Sequence, residues 1–296
     1  MKKTGFSLSE HPWLFLLVFI LITLAGNVIF TILLAYPLKL PRTSPLFDFW
    51  VNVLNNTVIV FLIVPFVLGF PGRSHTYPTY LTEIRLTQWQ PVLKLLLLGV
   101  SCWLIMAFCQ FASTSIYHLS HGGAVDLAFL RTAFPLQSEF PPNSMGWLVS
   151  LLAITEEFAY RGVILAVFLR HYDSLRAVLF SALGFGAVHI FNILSGKPPI
   201  WMAGNVVWAA ILGVFYGYVT IKTGSLLPAM LVHYLSNLFI YPLTAYIQTH
   251  TSIPVQTLYG VTLTMGVVPA ALMILWVRFS ASSWLSPLKP LSRKMT

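Results

Sequence analysis

The apolar matter of this chain is cut into stretches of about 20 residues, the length a helix rising 1.5 Å per residue needs to cross ~30 Å of hydrocarbon. No other feature constrains the fold as much. The stretches are Pro12–Tyr36, Val51–Phe70, Pro91–Ser113, Gly146–Leu169, Ala177–Leu194, Ile200–Ile221, Ser225–Tyr246 and Leu258–Phe279. They predict an all-α polytopic membrane bundle of about eight transmembrane helices, one membrane domain over 1–296. A composition of 57% hydrophobic and 8% charged residues excludes a water-soluble globule, since soluble domains carry roughly 25% charged residues. The first stretch follows Lys2 and Lys3. It is longer than a signal-peptide core and lacks small-x-small cleavage chemistry, so it reads as a retained signal anchor.

Cationic loops stay cytoplasmic. With the N-terminus inside, one face receives Lys2, Lys3, Arg73, Arg85, Arg170, Arg176, Lys222, Arg278, Lys289, Arg293 and Lys294, and the other only Lys39, Arg42, Arg131 and Lys197. Both termini are therefore expected in the cytoplasm. Lys94 can snorkel from the start of the third span, which leaves Arg161 as the one cation deep in a helix. The net charge of +9 is a topology signal suited to anionic lipid headgroups, and nothing resembles a nucleic-acid-binding fold.

Cys102 and Cys109 lie on one face of the third span and read as small apolar packing. Two connections are long. Pro71–Gln90 is a cytoplasmic loop whose Leu81–Trp89 part is expected to lie as an interfacial amphipathic turn. Thr114–Ser144 is extracytoplasmic and carries His118, His121, Asp126, Arg131 and Glu139, which read as a solvated face rather than a metal site. Asn143 or Ser144 is placed to cap the fourth span. Gly213 and Gly217 form a small-xxx-small pattern that lets the sixth span approach a neighbour closely, and Gly184 and Gly186 serve the fifth in the same way.

Of only eight acids in the chain, Glu156 and Glu157 are adjacent near the middle of the fourth span. Each charge at a helix centre costs about 2.5–3.5 kcal/mol on insertion scales, so neighbouring carboxylates persist only if paired, protonated or hydrated. Glu157 and Arg161 stand one turn apart and are expected to pair, while Glu156 points about 100° away and is left free to act as a general base. The bland alternative, a structural ion-pair cluster, leaves Glu156 without a role. His189 on the fifth span, and His233 with Asn237 one turn on in the seventh, are the other polar groups in hydrocarbon. In the proposed topology Glu156 lies roughly 15 Å below the outer end of its span, and His189 and His233 about 18 and 12 Å above the cytoplasmic ends of theirs. All fall near the midplane, where two carboxylates, two imidazoles and an amide can activate water and stabilise an oxyanion.

Glu156-Glu157-x-x-x-Arg161, Phe185-x-x-x-His189 and His233-x-x-x-Asn237 resemble, in order, the motifs of the CAAX prenyl protease type II family, also described as CAAX protease and bacteriocin-processing (CPBP) intramembrane proteases. Tyr218 to Pro228, with Thr223-Gly224-Ser225-Leu226, looks like that family's approach to its last motif. The resemblance covers about 144–240, a CPBP-like catalytic core; the first three spans and the eighth match only in hydrophobicity. It implies a conical intramembrane catalytic cavity and hydrolysis of a hydrophobic or lipidated peptide substrate. By position, Glu156 and His189 would activate water, His233 and Asn237 would stabilise the oxyanion, and Glu157 and Arg161 would support them. The family is also termed a metalloprotease. Glu156, His189 and His233 would be the ligands of a divalent metal such as zinc, but no H-E-x-x-H pair stands on one helix and metal-free hydrolysis is favoured. A proton- or ion-coupled transporter is the rival class, since midplane Glu and His suit it equally; internal repeats and paired broken helices are not seen. A non-catalytic immunity or scaffold protein of the same fold is the third reading, against which the intact motif set argues.

Overall fold

The computed structural model describes residues 8–39, 41, 45–70, 76–120, 122–129, 146–191, 199–239 and 263–283. The expected caps at Asn143 and Ser144, and His121, Arg131 and Glu139, lie outside these residues, as do both termini. All regular structure among the described residues is helical. We number the helices α1 Pro12–Ala35, α2 Pro45–Val58 continuing as a π-helix over Ile59–Val67, α3 Tyr77–Glu83 and α4 Val92–Ser120. There follow α5 over 146–171, α6 Ser174–Val188, α7 Pro199–Thr223, α8 Leu227–Phe239, and α9, a π-helical Leu263–Val267 running into Val268–Ser283.

Among the described residues five helices are long and apolar enough to cross a membrane: Pro12–Ala35, Phe49–Val67, Val92–Ser120, Ser174–Phe191 and Met202–Thr223. The protein is an all-α membrane bundle. The three other expected spans coincide with α5, which is interrupted, and with α8 and α9, of which only the described parts are given. α5 is assembled from Gly146–Val149, Leu152–Glu157, a π-helical Phe158–Ile164 and Leu165–His171.

In both π-helical stretches of α2 and α5 a hydroxyl from a neighbouring element donates to a backbone carbonyl. Pro65 removes the N–H that would serve Phe61 in an α-helix or Val60 in a π-helix. The Tyr77 hydroxyl donates to the Phe61 carbonyl at 3.3 Å, and the Tyr80 hydroxyl donates to that of Val60. In α5 the Leu165 N–H and the Ser181 hydroxyl of α6 both donate to the Tyr160 carbonyl, the latter at 2.9 Å.

The Leu81–Trp89 segment departs from expectation. It is not a turn floating at the interface but a wedge driven into the bundle, with Ile84 and Arg85 buried. Ile84 meets Gly162 of α5, and Arg85 Nη1 donates to the Thr220 carbonyl in the last turn of α7 at 3.1 Å. Burial lowers the Arg85 guanidinium to about 10, so it stays charged at neutral pH and suits the negative end of the α7 dipole. The turn into α8 is equally well determined. Gly224 takes a φ of +68°, Thr223 Oγ1 accepts from the Ser225 N–H at 3.3 Å, and Ser225 Oγ accepts from that of Leu227 at 3.2 Å.

Two apolar clusters make the core. Phe15, Phe19, Val60, Ile84, Tyr160, Ile164, Phe168 and Phe185 join α1, α2, α5 and α6. Leu98, Cys102, Met106, Phe215, Tyr216, Val232 and Met273 join α4, α7, α8 and α9. Cys102 and Cys109 are buried and unbridged, as apolar packing requires. The clusters meet where α6 crosses α7. A Cβ on Gly186 would stand 2.7 Å from the Val206 carbonyl oxygen, and one on Gly213 3.0 Å from the Ala182 Cβ. Gly217 faces Val178, and Gly184 faces Leu16 of α1. Glycine at these positions lets the backbones close.

Candidate active site

The intramembrane acids sit on the seam between the two clusters. Leu152–Glu157 is a short α-helical piece between a turn and a π-helix, and π-helical turns recur at functional sites. Glu157 and Arg161 form the expected pair, Oε1 to Nη1 at 3.1 Å, with both side chains fully buried. The guanidinium lies over the Phe185 ring at 4.1 Å and 5.1 Å from the centre of the Tyr216 ring. Arg161 Nη2 would stand 3.1 Å from a Cβ on Gly213, so that glycine also makes room for the cation.

Two further features differ from the sequence expectation. Glu157 is not paired with Arg161 alone, because the same Oε1 accepts from His233 Nδ1 at 2.8 Å. Nor is Glu156 left free: its Oε2 lies 3.7 Å from His233 Nε2. His233 thus stands between the two glutamates, held at one nitrogen and turned toward Glu156 at the other. The bond to a carboxylate places a proton on Nδ1. Tyr216 stacks on the His233 ring at 5.0 Å.

His189 ends α6, where its Nδ1–H donates to the Phe185 carbonyl at 2.8 Å and leaves Nε2 as the free nitrogen. It is close enough to Glu156 for the carboxylate's charge to bear on the ring. Phe185 lies edge-on to both imidazoles, with centroids 4.8 Å from His189 and 5.9 Å from His233. Asn237 is half-buried, one turn beyond His233 on α8. Glu156 remains 26% exposed against 0% for Glu157, so Glu156 is the carboxylate of the two that a substrate can reach.

Phe185 therefore links Arg161, His189 and His233, and Tyr216 bears on Arg161 and His233. Sequence reading passed over Tyr216; its position between Gly213 and Gly217 is the one signal that could have found it, since a large ring beside two close-packing glycines must point at a neighbour. The zinc set of Glu156, His189 and His233 does not fit. Among the described residues no three His, Cys, Asp or Glu side chains form a group able to hold a metal ion. At the end of α4 His118 stacks on Phe129 at 4.6 Å, and Asp126 accepts from the Phe129 N–H at 2.8 Å.

Residues 141–239 match a family model described as Type II CAAX prenyl endopeptidase Rce1-like. No curated protein and no solved structure matches the chain. The matched segment holds all six of the site residues named above, in the order in which the motifs were read. Over this segment, about a third of its length, the chain is similar to the Type II CAAX prenyl endopeptidase Rce1-like family, a protease family.

Proposed function

We propose that the protein is an intramembrane endopeptidase that hydrolyses peptide bonds in membrane-associated or lipidated, CAAX-like substrates. The observation that carries this reading is the placement of His233, fixed by the buried Glu157–Arg161 pair and turned toward the accessible Glu156. Glu156, with His189 Nε2 nearby, takes a proton from a water as its oxygen attacks the scissile carbonyl. In its doubly protonated form His233 donates from Nε2, and Asn237 donates from its amide, to the oxyanion that forms. Collapse of the tetrahedral intermediate breaks the C–N bond, and the proton held by Glu156 passes to the leaving amine. Glu157 holds His233 through Nδ1 while this happens, and Arg161 holds Glu157 in place.

The working orientation puts both termini in the cytoplasm of a bacterial inner membrane. The test is cleavage of a lipidated or hydrophobic C-terminal peptide by protein purified in detergent. Glu156→Ala and His189→Ala are expected to abolish turnover with the unfolding temperature preserved. Unchanged turnover in both variants would overturn the assignment.

A further inference from the structure

The piece of α5 that carries the glutamates is only Leu152–Glu157, with a turn before it and a π-helix after it. Neither end is continued by regular α-helix, so contacts from other helices decide how the piece is rotated about its axis. On one side Glu157 is tied to His233 of α8. Thr155 lies about 200° around the helix from Glu157. There its hydroxyl donates to the Leu152 carbonyl at 2.9 Å and accepts from Asn56 Nδ2 of α2 at 3.1 Å. Glu156 falls between these two tethers, about 100° from each.

Asn56 is half-buried on a mainly apolar span that also carries Asn52, Asn55 and Thr57, and an amide in hydrocarbon is costly unless it is used. Its neighbour Asn55 is spent differently, donating to the Thr23 carbonyl and to Asn27 Oδ1, both at 2.9 Å, and so joining α2 to α1.

We propose that Asn56 is a positioning residue of this site: by holding Thr155 it sets the rotation of the glutamate-bearing piece, and with it the place of Glu156 Oε2 opposite His233 Nε2. The inference rests on the endopeptidase reading. It differs from that reading in assigning work to a helix that carries none of the motifs.

The experiment compares Asn56→Leu, Thr155→Val, Thr155→Ser and the double variant Asn56→Leu/Thr155→Val in the full chain, with Asn55→Leu as the structural control. Loss of the hydrogen bond from either end should lower kcat about tenfold with KM within about twofold, because a small misplacement of a catalytic group acts on the chemical step. The double variant should fall no further than either single, and Thr155→Ser, which keeps the hydroxyl, should match wild type. Asn55→Leu should lower the unfolding temperature and leave kcat alone. If Glu156→Ala is inactive but Asn56→Leu and Thr155→Val turn over like wild type, the inference fails and the reading stands. If wild type cleaves no probe peptide, the reading fails. The inference is then decided by the Glu156 carboxylate band, obtained as the infrared difference between wild type and Glu156→Gln. The band must move in Asn56→Leu and stay put in Asn55→Leu, and an unmoved band in Asn56→Leu overturns it.

Discussion

Glu156 and Glu157 are neighbours in the chain, yet their surroundings give them different consequences when neutralised. Glu157 is fully buried and serves Arg161 and His233 from one oxygen. Glu157→Gln leaves Arg161, itself 1% exposed, as a cation in hydrocarbon without its counter-charge. Removing one partner of a buried ion pair costs about 3–5 kcal/mol. This variant is therefore expected to lose both turnover and a large part of its stability, read as the midpoint of thermal unfolding in detergent. Glu156→Gln, at a partly exposed position, should lose turnover alone; equal stability losses in the two variants would contradict the division of labour. The Glu157–Arg161 pair was legible in the sequence because a spacing of four fixes both ends on one helix face. The His233 contact was not, because 76 residues separate it from Glu157 and sequence spacing carries no information on how two helices are rotated against each other. The same gap hid Asn56, whose partner lies 99 residues away.

At the scale of elements, the helices could be read from apolar length, and the glycines announced close crossings without saying against what. The structure assigns Gly186 to the α7 backbone and Gly213 to both Ala182 and Arg161. This yields an ordering that sequence alone could not give. A methyl at Gly186 would meet a carbonyl oxygen at 2.7 Å and the Ala210 Cβ at 2.8 Å, neither of which can rotate away. Gly186→Ala should therefore force α6 and α7 apart, at an overpacking cost of about 1–3 kcal/mol, again read as the unfolding midpoint. Gly213→Ala meets Ala182 at 3.0 Å and the movable end of Arg161 at 3.1 Å. It should cost less stability than Gly186→Ala but more turnover, because the displaced guanidinium carries Glu157 and His233 with it. The π-helical turns were beyond sequence reading. Pro65 marks one of them, but the tyrosines that answer it, Tyr77 and Tyr80, come from a segment read as a cytoplasmic loop.

The whole molecule is organised by its two ends, and contacts across the chain establish which elements share one. His171 at the end of α5 bonds to the Ser9 carbonyl at 2.8 Å, and Trp13 at the start of α1 donates to Tyr172 at 3.1 Å. Arg170 pairs with Glu83 at 2.6 Å, and Arg85 reaches the end of α7. The start of α1, the wedge after α2, and the ends of α5 and α7 therefore lie together, as an up-and-down bundle of the expected spans requires. This end also carries the cations Arg85, Arg170, Arg176 and Lys222, and the proposed orientation, which follows the positive-inside rule, turns it to the cytoplasm. Cys102 and Cys109 are buried, which leaves little background for a membrane-impermeant maleimide. Ser174, exposed at the start of α6, belongs to the cationic end, and Ser120, exposed at the end of α4, to the opposite one. Ser120→Cys should be labelled in intact cells, and Ser174→Cys only in inverted vesicles. The reverse pattern would invert the protein and move its cationic end outside. Labelling of both from the same side would break the alternation on which the midplane depth of Glu156, His189 and His233 depends.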